Sequence, residues 1–173
     1  MSKTCSKCGL EKPLTEFSIN KQNHNRPMSW CKQCRRDEGS RSRNTAAGIY
    51  QQIKAQIKYA KKHGETRTSK GRLRCKRKVL DCTQDEFVKW YNSQPKVCGY
   101  CGIKKESLNL VSDAYNRNLT RLSVDAIDND KDYSIDNIIL SCRRCNATKS
   151  DFFSHDEMVE IGKIIRNHWE QKS

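Results

Sequence analysis

Four Cys-x-x-Cys pairs constrain this chain more than any other feature of its sequence. They contain eight of its ten cysteines. A two-residue gap lets both thiolates of a pair bind one tetrahedral ion, so two pairs can complete a structural zinc site. The sequence therefore predicts two structural zinc ions per chain. The predicted ligands are Cys5, Cys8, Cys31 and Cys34 for the first ion, and Cys98, Cys101, Cys142 and Cys145 for the second.

The composition favours metal over a large apolar core. Only 35% of the 173 residues are hydrophobic, while 31% are charged. The few apolar residues between the first two pairs could hardly fold that segment, whereas zinc ligation can supply about 10 kcal/mol or more. No signal-like stretch follows Met1, and no run approaches the roughly 18 to 20 apolar residues that span a bilayer. We expect a soluble protein without a membrane partner, in the reducing cytoplasm of a bacterial or phage-infected cell.

The positive charge is concentrated in the first part of the chain. Residues 1–80 contain 21 Lys and Arg against 5 Asp and Glu, and the other 93 residues contain 13 against 15. This asymmetry favours a polyanionic partner, double-stranded DNA, over a merely solvated surface. A membrane surface is a weaker alternative because the basic segment lacks a strong apolar face. The best candidates for phosphate contact lie in one basic run: Arg72, Arg74, Lys76, Arg77 and Lys78.

The periodicity of apolar residues predicts a small α+β protein. Two capping boxes, at 83–86 and 154–157, indicate the beginnings of two helices. The other predicted elements are a linker or frayed end at 37–47, a helix at 49–60, a turn of helix after Cys101, strands near 122–127 and 138–140, and a short helix at 145–152.

Oxygen donors lie between the last two cysteine pairs. The segment Ser123-Val-Asp-Ala-Ile-Asp-Asn and the later Ile135-Asp-Asn supply carboxylate and amide groups, which suit Mg²⁺ or Mn²⁺. The run 128–132 is similar to part of a calcium loop, yet it lacks the Gly of the sharp turn and the distal Glu. We therefore expect a hard divalent cation other than calcium, beside a structural zinc.

The order strand, loop, strand, helix with these residues resembles the HNH, or ββα-metal, nucleases. The resemblance implies that Asp125 is the metal-binding acid, that Asn137 braces the loop, and that Asn146 completes the metal site on the helix. The cysteine pairs match the treble-clef zinc clip that flanks many members. The resemblance is strong over about residues 98–150, and it extends loosely to phage-type HNH enzymes and PacI-like restriction endonucleases over most of the chain.

The chain departs from the family pattern at Ala126. Family members usually have a His there that activates the attacking water, and Ala cannot accept a proton. The PacI-like subgroup also lacks this His and is associated with a Tyr near the phosphate. Tyr100, between two zinc cysteines, is accordingly the first substitute, followed by His63 and Tyr133.

The resemblance implies a metal-dependent, site-specific DNA endonuclease of the restriction or homing type, and a junction-cutting recombination enzyme is the alternative within the same class. One Mg²⁺ or Mn²⁺ would be held by Asp125 and Asn146, with Asp128 as a weaker candidate. A double-strand cut would require a homodimer and imply a palindromic target. The expected division is a zinc ribbon at 1–45, a basic helix and DNA-contacting loop at 46–82, and the ββα-metal core at 83–173.

A second interpretation belongs to a different functional class. A non-catalytic zinc-finger regulator could bind DNA on the same scaffold, with Ala126 as the sign of lost activity. Such a protein would have no reason to retain Asp125 and Asn146 in this register, and it predicts binding without cleavage under any divalent ion.

Overall fold

The computed structural model describes residues 1–63, 79–111 and 121–171. The chain forms two compact units, Met1–Thr45 and Ala46–Ser173. The described elements are β1 (Ser2–Thr4), β2 (Glu11–Pro13), β3 (Phe17–Asn20), β4 (Arg26–Cys31), α1 (Lys32–Arg43), α2 (Ala46–His63), β5 (Leu80–Asp81), α3 (Gln84–Ser93), β6 (Ser123–Ala126), β7 (Tyr133–Ser134), β8 (Ile138–Ser141), α4 (Arg143–Lys149) and α5 (His155–Glu170).

The first unit consists of two antiparallel strand pairs, β1 with β2 and β3 with β4, followed by α1. Its buried core contains only Cys5, Phe17 and Cys31, against which Trp30 and Cys34 pack. So small an apolar cluster cannot by itself offset the entropy of ordering the unit. The four cysteines that the unit brings together could supply the missing stability by holding a metal ion.

The expectation of a linker at 37–47 is wrong. Helix α1 covers Lys32–Arg43, and α2 already begins at Ala46. The Cys31 sulfur caps α1 by accepting a hydrogen bond from the Cys34 amide, and Arg41 and Arg43 lie in the last turn, where positive charge favours a helix. These end effects offset the weak helix propensity of the Ser- and Gly-containing middle.

The described residues of the second unit form one hydrophobic core. Its aromatic part brings α2 against α3, with the rings of Tyr50 and Phe87 5.6 Å apart. Both predicted capping boxes are present, so α3 begins after Thr83 and α5 after Ser154. Met158 is fully buried on α5. Within the described residues, no helix combines the length and apolar character needed to cross a membrane.

Strands β6 and β8 form the antiparallel pair that positions the oxygen donors. Asp125 lies opposite Ile139, and Ala126 lies opposite Ile138. The chain continues from β8 through Cys142, whose sulfur accepts a hydrogen bond from the Cys145 amide and so caps α4. Two predicted strands and one predicted helix are thereby confirmed as a ββα unit.

Helix α5 approaches the first cysteine pair of the second unit very closely at Gly162. A Cβ atom built on Gly162 would lie 2.5 Å from the carbonyl oxygen of Tyr100 and 2.6 Å from its carbonyl carbon. Backbone atoms at such distances cannot be avoided by a rotamer change. Only glycine fits here, and this contact fixes the distance between α5 and the segment that contains Tyr100.

We expect Gly162→Ala to destabilise the second unit by about 1 to 3 kcal/mol, because the added methyl group overpacks a rigid contact. Urea unfolding followed by circular dichroism measures the loss. Gly39→Ala is the matched control, since its Cβ would meet only the flexible Arg43 side chain of α1. Equal effects of the two substitutions would contradict the close contact at Gly162.

Candidate active site and zinc centres

The four cysteines of the second unit form a closed group. Their sulfur atoms all lie within 4.8 Å of one another, and each residue is at most 1% exposed. The Cys101 and Cys142 sulfurs are 3.8 Å apart. This is the edge of a tetrahedron with zinc–sulfur bonds of about 2.3 Å, so the group fits a structural zinc ion.

The cysteines of the first unit form a similar but more open group. The sulfurs of Cys5 and Cys34 are 3.9 Å apart, and the Cys31 amide donates to the Cys5 sulfur at 3.2 Å. Cys8 is exposed and Cys34 is half-buried. This group also fits zinc, and solvent or a chelator can reach it more easily than the second group.

Tyr100, between two cysteines of the closed group, touches the candidate metal ligand. Its hydroxyl donates a hydrogen bond to Oδ2 of Asp125 at 3.0 Å, and both residues are buried. Burial raises the pKa of the Tyr100 phenol well above its ordinary value, and the Asp125 carboxylate raises that pKa further. In this arrangement Tyr100 is a neutral donor that orients Asp125.

Lys149 contacts Asp125, which was not expected from the sequence. This lysine on α4 is completely buried, and its ammonium lies 3.8 Å from Oδ2 of Asp125. It also donates to the carbonyl oxygen of Ala126 at 2.9 Å and to the side chain of Asn129. The ammonium thus fixes the end of β6 and supplies a counter-charge to Asp125. No sequence pattern distinguished it from a solvated lysine at a helix end.

Asn137 holds the loop between β6 and β8. Its side-chain oxygen accepts from the Asp128 amide at 2.8 Å, and its side-chain nitrogen donates to the carbonyls of Asp128 and Asp132 at 3.1 and 2.8 Å. The residue is only 6% exposed. Through these three hydrogen bonds Asn137 braces the loop.

We expect Asn137→Ala to lower the free energy of unfolding of the second unit by about 1 to 3 kcal/mol, because buried backbone groups of the loop lose their partners. Thermal unfolding compared with the variant of its neighbour, Asp136→Ala, measures this loss. Asp136 is exposed, so its substitution should leave the melting temperature unchanged. A brace role requires a clear difference between the two variants.

The remaining predicted site residues have different outcomes. Asn146 is half-buried on α4, one turn before Lys149, which itself contacts Asp125. Tyr133 lies on β7, paired with Leu80 on β5. His63 ends α2, but its side chain is outside the described part, as are Arg72, Arg74, Lys76, Arg77 and Lys78.

A cleft of about 460 Å³ lies beside this cluster. Residues 127–130, which directly follow β6, line one part of it, and residues 151–157 line the other. His155 belongs to the second segment, and its ring lies against that of Tyr100 with 5.6 Å between centroids. The sequence showed His155 only as the residue after a helix cap, so it gave no signal of this position.

Strands β6 and β8 and helix α4 have the arrangement of the ββα-metal class of nuclease folds. The acid lies at the end of β6, the amide lies on α4, and the four-cysteine group connects these elements. Residues 98–152 match the HNH endonuclease family. The resemblance inferred from the sequence is thereby confirmed over this range.

The fold of the whole chain is also similar to a solved structure. That structure is of the rare-cutting HNH restriction endonuclease PacI, in work on its mechanism of DNA perturbation. The similarity covers 98% of this chain and 97% of that chain, with a TM-score of 0.54 and 24% sequence identity. A search of curated proteins finds no match. The zinc-stabilised α+β fold class expected from the sequence is confirmed.

Proposed function

We propose that this protein is a metal-dependent, site-specific DNA endonuclease of the restriction or homing type. The observation that supports this most directly is the Asp125 carboxylate, which is buried at the end of β6 and oriented by Tyr100 and Lys149 beside the helix that contains Asn146. A non-catalytic DNA-binding module would gain nothing from a buried carboxylate with a dedicated hydrogen-bond donor, Tyr100, and a buried counter-charge, Lys149. Asn137 contributes by bracing the loop that follows β6.

Asp125 and Asn146 are the residues that would hold a Mg²⁺ or Mn²⁺ ion. Carboxylate and amide oxygens are hard donors that suit these ions. Such an ion, when bound, would neutralise charge on the scissile phosphate and on the leaving 3′ oxygen.

Double-stranded DNA is the proposed substrate. The basic excess of residues 1–80 supports a polyanionic partner, and the run with Arg72, Arg74, Lys76, Arg77 and Lys78 remains the proposed phosphate contact. The similar fold of a restriction endonuclease supports a site-specific cut. One metal site cuts one strand, so cleavage of both strands would use a homodimer on a palindromic target.

Ala126 cannot accept a proton from the attacking water, so another residue has to be assigned as the proton acceptor. Tyr100 was the first substitute, but in this structure it donates to Asp125 and has a raised pKa, so we propose that it positions the carboxylate. His63 stays a prediction. The rival function, a regulator that binds without cutting, would be favoured if neither strand were ever cleaved.

The decisive experiment incubates the purified protein with mixed plasmid and phage DNA in Mg²⁺, in Mn²⁺ and in EDTA. We expect discrete bands with either ion, no products in EDTA, and recovery when excess Mg²⁺ is added back. Recovery shows that the chelator acted on the catalytic ion and left the structural zinc in place. Retarded but intact DNA under every condition would instead establish the non-catalytic regulator.

A further inference from the structure

The proposed function requires a group that accepts a proton from water near Asp125. Ala126 cannot accept one, and its carbonyl oxygen is already bound by Lys149. The Tyr100 hydroxyl is a donor to Asp125. Among the described residues, a further acceptor would have to come from another element that reaches this end of β6.

Helix α5 brings His155 to this position. His155 is the first residue of the helix, directly after the Ser154 cap. Its ring is tilted by 53° against the ring of Tyr100, whose hydroxyl is bound to Asp125. It also lines the cleft together with residues 127–130, which follow Asp125 and Ala126 along the chain. His155 thus packs against Tyr100, which holds Asp125, and it lines the same cleft as the residues that follow β6.

The imidazole is not accounted for by structural hydrogen bonds. Its Nδ1 atom is buried and has no hydrogen-bond partner among the described residues. Burying a polar atom without a partner is unfavourable, and a catalytic role is one of the explanations for such atoms in native proteins. A phenylalanine at this position would pack against Tyr100 without that cost. A histidine here supplies a nitrogen that can accept a proton, which a phenylalanine would not.

We propose that His155 is the general base of this nuclease, taking the place of the family's His at position 126; this rests on the proposed function. The imidazole accepts a proton from water while the water oxygen forms a bond to phosphorus. The bond between phosphorus and the 3′ oxygen breaks, and that oxygen takes a proton from solvent. The imidazolium then releases its proton to solvent, which regenerates the base. The products are a 5′ phosphate and a 3′ hydroxyl, so atoms and protons balance.

The test compares His155→Ala and His155→Gln with wild type in single-turnover cleavage of plasmid DNA with Mg²⁺. General-base catalysis contributes about 10²- to 10⁴-fold, so we expect a loss of at least 100-fold in both variants. Added imidazole should restore part of the rate of His155→Ala. His168→Ala, on the last turn of the same helix, is the matched control and should cleave at the wild-type rate.

Each outcome decides the assignment. Cleavage by His155→Gln within a few fold of wild type would overturn it, and so would a slow His155→Ala variant that imidazole fails to rescue. A loss that follows lowered zinc content, lowered melting temperature or weakened DNA retention would assign His155 a packing role instead. If the wild type itself cuts nothing under Mg²⁺ or Mn²⁺, the proposed function fails first, which the same gel shows in its wild-type lanes.

Discussion

Asp125→Asn is expected to lower the cleavage rate by more than about 100-fold. Changing a residue that only supports a metal ligand costs up to about 100-fold, and loss of the ligand itself should cost more. The substitution keeps the size of the side chain but removes the negative charge that would hold the divalent ion. Asp125→Glu keeps the charge and moves it by one methylene, so it should remain folded and still cleave slowly. The measurement is single-turnover cleavage over a range of Mn²⁺ concentrations.

The control for this prediction has to separate chemistry from stability. Lys149 is fully buried beside Asp125, so loss of the carboxylate leaves its ammonium without a counter-charge and destabilises the fold. Asp136→Asn changes an exposed acid close by and should alter neither property. If Asp125→Asn is as active as Asp136→Asn at equal folded fraction, Asp125 does not bind the catalytic ion.

Cys142→Ser is expected to unfold most of the second unit at ordinary temperature. Structural zinc sites contribute about 10 to 16 kcal/mol to folding, whereas a whole domain is stable by only about 5 to 15 kcal/mol. Cys142 also caps α4, the helix that contains Asn146 and Lys149, so its loss removes the site together with the metal. Zinc content should fall from two ions per chain to one, with loss of helical circular dichroism.

Cys82→Ser is the matched control because Cys82 is a half-buried thiol outside both cysteine groups. It should retain both zinc ions and the wild-type melting temperature. Chelation offers a second check, since the first group has an exposed Cys8 and should release its ion before the closed second group does. Two zinc ions retained by folded Cys142→Ser would show that the second group is not a zinc site.

Local signals were sufficient for the parts of the fold that depend on neighbouring residues. The spacing of the cysteines identified both zinc groups, and the capping boxes at Thr83 and Ser154 located the beginnings of two helices. Within each cysteine pair and each capping box the residues are three positions apart, so the chain geometry alone relates them. The prediction failed at 37–47 because a sulfur cap at Cys31 starts a helix there, and thiols are not usual caps.

The sequence by itself determined the four Cys-x-x-Cys pairs, the ββα order and the place of Asp125 in β6, because short spacings and apolar patterns along the chain indicate each of them. The tertiary structure alone decided how the carboxylate is held. Tyr100 reaches Asp125 from 25 residues away, and Lys149 reaches Ala126 from 23 residues away. It also decided that α5 brings His155 against Tyr100, where Gly162 permits the close approach. Contacts between residues that are far apart in the chain depend on how the side chains pack. Such contacts leave no periodic pattern in the sequence from which they could be predicted.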